Sequence, residues 1–137
     1  MNFRKILLVD DDPEDLAIIS DAINRIHQSD ITITAENGAS ALELLHGCDV
    51  THLPCLIILD LNMPRMNGTK TLQHLKNNPR FCNIPVIIYS TSINPQEKAA
   101  CLSLGARAYI TKPISYSECM ATAKIFLQYC NLDISSR

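Results

Sequence analysis

Four short apolar runs in this 137-residue chain each lead to a residue able to do chemistry. Ile6-Leu7-Leu8-Val9 stops at Asp10 and Asp11, and Leu56-Ile57-Ile58-Leu59 stops at Asp60. Val86-Ile87-Ile88-Tyr89 stops at Ser90, and Ala108-Tyr109-Ile110 is followed after Thr111 by Lys112. Three carboxylates gathered in one place repel each other and call for a cation. An all-oxygen set selects a hard one, so Mg²⁺ is the expected metal, retaining some of its waters. The backbone carbonyl of Asn62 offers a further oxygen. An ammonium and a hydroxyl beside such a cation are what a transferring phosphoryl group needs for its equatorial oxygens. Asp60 can then serve as a nucleophile, because a carboxylate attacking phosphorus makes an acyl phosphate. The chemistry requires no histidine, cysteine or second base, and none stands at these ends.

These residues are far apart in sequence, so only a fold can bring them together. An unbroken apolar run such as Leu56 to Leu59 suits a strand covered on both faces. Lys5 to Val9 reads as the first such strand. Pro13 opens a helix capped by Asp12, with Glu14 and Asp15 favourable to its dipole. Leu16, Ile19, Ile23 and Ile26 form its apolar stripe. Ile31 to Ala35 alternates and is rich in β-branched residues, predicting a second strand. Asn37-Gly38 turns the chain into a short helix carrying Ala41, Leu42 and Leu45. After the third strand, an Asn-, Pro- and Gly-rich turn leads to a helix over 69–76, and Met63-Pro64 reads as part of that turn's architecture. The fourth strand, opened by Pro85, precedes a helix over 95–104 closed by Gly105. The fifth strand precedes a helix capped by Ser115, with Glu118 placed for a capping box and Met120, Ala123, Leu127 and Cys130 facing inward.

Five strands alternating with five helices, without repeats or linkers, predict one α/β domain: a parallel sheet with helices on both faces. All strands of such a sheet end on one side, where ligands bind in open α/β folds. Residues 131–137 read as a polar tail, and no segment is left over for a second domain. A net charge of -2 and the absence of any Lys/Arg cluster argue against a nucleic-acid partner. The N-terminal apolar run is too short for a signal peptide, and no stretch is long enough to span a membrane. The expectation is therefore a cytoplasmic protein. The six cysteines form no C-x-x-C pair and the four histidines no H-x-x-x-H pair, so no zinc site is read from them. All six cysteines are expected to be reduced structural thiols, Cys55 among them.

Leu8-Val9-Asp10-Asp11, the stretch from Asp60 to Gly68, Pro85 to Ser90 and Gly105 to Pro113 together resemble the receiver domain of two-component response regulators. Each piece is weak alone and specific in this order and spacing, and the match covers about Lys5 to Leu127. The likeness is to single-domain, chemotaxis-regulator-like receivers. It implies a doubly wound, flavodoxin-like sheet of order 2-1-3-4-5, and a stand-alone phospho-acceptor switch, not an enzyme turning over a metabolite. It further implies that Asp60 accepts phosphate from a histidine kinase or phosphotransfer protein, with Asp11 holding Mg²⁺ directly and Asp10 at least partly through water. Ser90 would grip a phosphoryl oxygen and relay the change, and Tyr109 matches the aromatic switch. Lys112 would pair with the phosphoryl group and, before that, with Asp60. Its bond to Pro113 is often cis in this family. A downstream target would dock on the face made by the fourth helix, fifth strand and fifth helix. Two positions depart from the usual pattern: Thr91 stands where Ala or Gly is usual and threatens to crowd the phosphoryl group, and the switch hydroxyl is serine where threonine is commoner. Asn62 and Ser92 occupy positions that tune dephosphorylation.

Plainer readings compete with these. Asp10 to Asp12 could be only an acidic helix-capping turn, Asp60 a solvated strand end, Ser90 a turn residue, Lys112 a surface lysine, and Tyr109 simple core packing. A phosphatase of the haloacid dehalogenase type also uses a strand-end aspartate and Mg²⁺. It needs a second acid two residues on, where this chain has Asn62, and a cap domain to enclose substrate. A receiver-like interaction module that is never phosphorylated is the remaining alternative, although such modules usually lose an acid, the hydroxyl or the lysine.

Overall fold

The computed structural model describes residues 5–63 and 66–130. The turn at Met63-Pro64 and the polar tail over 131–137, both expected above, thus lie partly or wholly outside the described residues. Five strands, β1 (Ile6–Val9), β2 (Thr32–Ala35), β3 (Leu56–Leu59), β4 (Val86–Ser90) and β5 (Ala108–Thr111), alternate with five helices, α1 (Pro13–His27), α2 (Gly38–His46), α3 (Gly68–Lys76), α4 (Pro95–Ser103) and α5 (Tyr116–Tyr129). All strand pairs are parallel and the sheet order is β2-β1-β3-β4-β5, as expected for a flavodoxin-like receiver.

Alternation of side chains along each strand splits the core into two layers. Leu7, Val9, Ile57, Leu59, Val86 and Ile88 point to the layer shared with α2, α3 and α4. Ile6, Leu8, Leu56, Ile58, Ile87 and Tyr89 point to the layer shared with α1 and α5, where the Tyr89 and Phe126 rings meet edge to face. Both faces of β1, β3 and β4 are covered, which is why these strands read as continuous apolar runs. The helix starts follow local capping. Asp12 accepts from the Glu14 and Asp15 N–H groups, Asn67 from Lys70 N–H, and Ser115 from Glu118 N–H. Asn37, read as part of a turn, is instead the cap of α2, its carboxamide oxygen accepting from Ser40 N–H at 2.8 Å.

The cysteine expectation is corrected. Cys55 and Cys130 are joined in a disulfide, with Cα atoms 5.4 Å apart, across 75 residues of sequence. The physical reason lies in the βα crossover: α5 runs back along the sheet, so its C-terminal end returns to the level where β3 begins. Cys48, Cys82, Cys101 and Cys119 are free, as expected.

Candidate functional site

The register of the two central strands sets up the site. Val9 lies opposite Leu59, and pairing continues one step further: Asp60 N–H donates to the Val9 carbonyl at 3.0 Å, and Asp10 N–H to the Ala35 carbonyl at 3.1 Å. Asp10 and Asp60 therefore leave the sheet side by side. Both are nearly sealed from solvent, at 5% and 6% exposure, whereas Asp11 is exposed. One carboxylate oxygen from each of Asp10, Asp11 and Asp60 falls within 4.8 Å of the others. The loop after Asp60 closes tightly, because Gly68 at the start of α3 packs on it and donates its N–H to the Leu61 carbonyl at 2.9 Å. A Cβ on Gly68 would collide with the Asp60 carbonyl oxygen and the Leu61 Cα, so only glycine lets α3 seat there.

Electrostatics at Asp60 follow from this crowding. Burial, then the neighbouring Asp10 charge, push its carboxyl up to about 6, while Lys112 and the backbone N–H groups of Asn62 and Leu61 pull the other way. A buried carboxylate beside a second one is a site short of positive charge. Its donors are all oxygens, which suits a hard divalent cation.

Lys112 reaches the site from the end of β5, which is held to β4 by a Lys112 N–H bond to the Ser90 carbonyl at 2.9 Å. Its ammonium forms an ion pair with Asp60, the expected partner, and makes its hydrogen bonds elsewhere. It donates to Asp10 Oδ2 at 2.7 Å and to Asp15 Oδ2 at 2.8 Å, and lies 3.9 Å from Asp60 Oδ1. Burial alone would make this lysine less basic, but its bonds to Asp10 and Asp15 and the Asp60 charge outweigh that and raise it. Asp15 is thus a member of the constellation that sequence reasoning missed. Its sequence context marks only a dipole-favourable acid in the first turn of α1, and nothing in its local spacing points to residue 112. The Lys112–Pro113 peptide is trans, unlike the isomer often met in similar chains.

Ser90 ends β4 fully buried, and its hydroxyl accepts from Ser92 N–H at 3.2 Å. Thr91 beside it is exposed. Ser92 is a crossing point: its hydroxyl donates to Glu97 at 2.5 Å, and its carbonyl accepts from the Tyr109 hydroxyl at 2.9 Å. The half-buried Tyr109 on β5 is therefore tied by one carbonyl to the loop that begins at Ser90. That link crosses between strands and is not readable from either segment alone. Asn62 is exposed, with its N–H turned toward the Asp60 carboxylate.

The fold brings three acids and a lysine from three strand ends into one cluster, with Ser90 at the end of the strand between β3 and β5. Comparison with known proteins agrees with this arrangement. A family model described as "Response regulator receiver domain" matches residues 6–124. The chemotaxis protein CheY1 of Helicobacter pylori is 33% identical over 111 residues, covering 81% of this chain and 86% of that protein. The probable cyclic di-GMP phosphodiesterase of Vibrio cholerae is 34% identical over 110 residues, but the match spans only 23% of that longer protein. Among solved structures, the phosphorylated cyanobacterial phytochrome response regulator RcpA superposes with a TM-score of 0.84 at 29% identity, over 97% of this chain and 99% of that one. Sheet order, acid cluster and sequence likeness lead to one conclusion: the chain belongs to the response regulator receiver domain family, with a CheY-like fold.

Proposed function

We propose that this chain, over residues 1–137, acts as a receiver domain that accepts a phosphoryl group on Asp60. The observation that carries the reading is the placing of the Asp10, Asp11 and Asp60 carboxylates within 4.8 Å of one another, with the Lys112 ammonium against the same cluster. The donor is a phosphohistidine on a histidine kinase or phosphotransfer protein. An Asp60 carboxylate oxygen attacks the phosphorus, the P–O bond forms as the P–N bond breaks, and the departing imidazole nitrogen takes up a proton. Attack by water later cleaves the acyl phosphate to the free carboxylate and inorganic phosphate. Asp10, Asp11, Asp60 and the backbone carbonyl of Asn62 would hold Mg²⁺, which would supply the charge that offsets repulsion between Asp60 and the incoming phosphate. Lys112 and the Ser90 hydroxyl bind phosphoryl oxygens. Ser90 and Tyr109, joined through Ser92, pass the change to the α4–β5–α5 face, where a target protein docks.

The neighbour RcpA was solved in a phosphorylated form, which supports a phospho-acceptor role for this chain. No helix among the described residues is long and apolar enough to cross a membrane. With a kinase as donor, the reading includes a cytoplasmic location, and it involves neither nucleic acid nor turnover of a metabolite. The test is incubation with Mg²⁺ and acetyl phosphate followed by intact-mass measurement. A gain of one phosphoryl group that disappears in Asp60→Asn is expected. No gain with any donor would instead leave an unphosphorylated interaction module, and steady phosphate release from unrelated monoesters would indicate a phosphatase.

A further inference from the structure

We infer that Asp15 is a positioning residue that holds the Lys112 ammonium away from Asp60 in the unphosphorylated protein and yields it when Asp60 carries a phosphoryl group. The inference rests on Asp60 being the acceptor. An ammonium has three protons to donate, and here two are used in short charge-assisted bonds, to Asp10 at 2.7 Å and Asp15 at 2.8 Å. The 3.9 Å separation from Asp60 Oδ1 is an ion pair without a hydrogen bond. Among the described residues, Asp15 is the one carboxylate outside the three-acid cluster that pairs with the Lys112 ammonium. It is delivered by the first turn of α1, whose N-terminus is fixed by the Asp12 cap and by the Asp12 N–H bond to Asp10 Oδ1.

The two lysine partners differ in what release would cost. The Asp10 side chain is 7% exposed and would lose its partner in a water-poor place, whereas the Asp15 side chain is 36% exposed and can be rehydrated at once. A phosphoryl oxygen on Asp60 therefore competes for Lys112 mainly with Asp15. Asp15 thus biases the site against the phosphorylated state and leaves the Asp60 carboxylate ion-paired with Lys112 but without a hydrogen bond from it before transfer.

The experiment compares binding of beryllofluoride, a phosphoryl mimic that adds to a carboxylate, to the full chain in the presence of Mg²⁺, using titration calorimetry. Binding of Mg²⁺ alone is measured in parallel. Asp15→Asn is expected to bind beryllofluoride about fivefold more tightly, the scale of losing one partly exposed ion pair, with Mg²⁺ affinity changed by less than about twofold. Asp15→Glu, which restores the charge, should return toward wild type. Glu14→Gln, which removes a charge from the same exposed turn without touching Lys112, should match wild type. Equal or weaker beryllofluoride binding by Asp15→Asn, or the same tightening in Glu14→Gln, would overturn the role of Asp15 while leaving Asp60 as acceptor. Failure of the wild-type protein itself to take up beryllofluoride would remove both readings.

Discussion

The two ends of β3 solve opposite problems. At its C-terminal end, Asp60 is buried beside Asp10 and near Asp11, and burial makes its ionised form unfavourable. At its N-terminal end, Cys55 sits against the apolar layer of α1 and α5 and is tied to Cys130. One end gives up stability to hold a reactive carboxylate, and the other adds stability by cross-linking elements distant in sequence. Four buried apolar residues lie between them, so a rigid strand carries both without mixing their roles. Charge repulsion is tolerable at the acid end because the rest of the strand is so well packed.

The contrast can be broken most severely at the acid end. Asp11→Ala removes the exposed carboxylate of the cluster, and Mg²⁺-dependent labelling of Asp60 by acetyl phosphate should fall to background. Normal labelling of that variant would show that the cluster is not the metal site. The sulfur end should respond in the opposite manner. Reducing the disulfide, or making Cys130→Ala, is expected to lower unfolding free energy by about 2–4 kcal/mol in urea titrations while leaving labelling intact. Unchanged urea midpoints with and without reductant would remove the cross-link from the comparison. Loss of labelling on reduction would show that the two ends are coupled.

A smaller effect sharpens the same contrast. Asp60 binds its proton more tightly in the folded chain, at about 6, than an ordinary aspartate at about 4 in the unfolded one. Its stabilising contribution is therefore present below about pH 4 and lost as pH rises through 6. Without divalent metal, Asp60→Asn should be more stable than wild type at pH 7.5 by on the order of 2 kcal/mol. The advantage should shrink toward pH 4 and on adding Mg²⁺ at pH 7.5. An advantage of equal size at both pH values would mean that burial of the charge is not its cause.

Much of the fold was legible because its signals are local. Apolar runs, capping residues such as Asp12, Asn67 and Ser115, and Gly105 at positive φ each declare themselves within a few residues. The alternation of strands and helices then places every strand end on one side, which groups Asp10, Asp11, Asp60 and Lys112. Asn37 shows the limit of such reading. An Asn-Gly pair satisfies a turn and a helix cap equally well, and the following residues decide between them.

By itself, the sequence determined that Asp10, Asp11, Asp60 and Lys112 meet at the acid edge, since parallel strands all end on one side. Only the tertiary structure decided how they pair. Lys112 chose Asp10 and Asp15 over Asp60, Tyr109 bonded to the Ser92 carbonyl, and Cys55 found Cys130. Each of these is a contact between segments remote in sequence. Its partner is selected by ångström-scale differences in reach and by competition among neighbours, quantities that residue type and spacing do not contain.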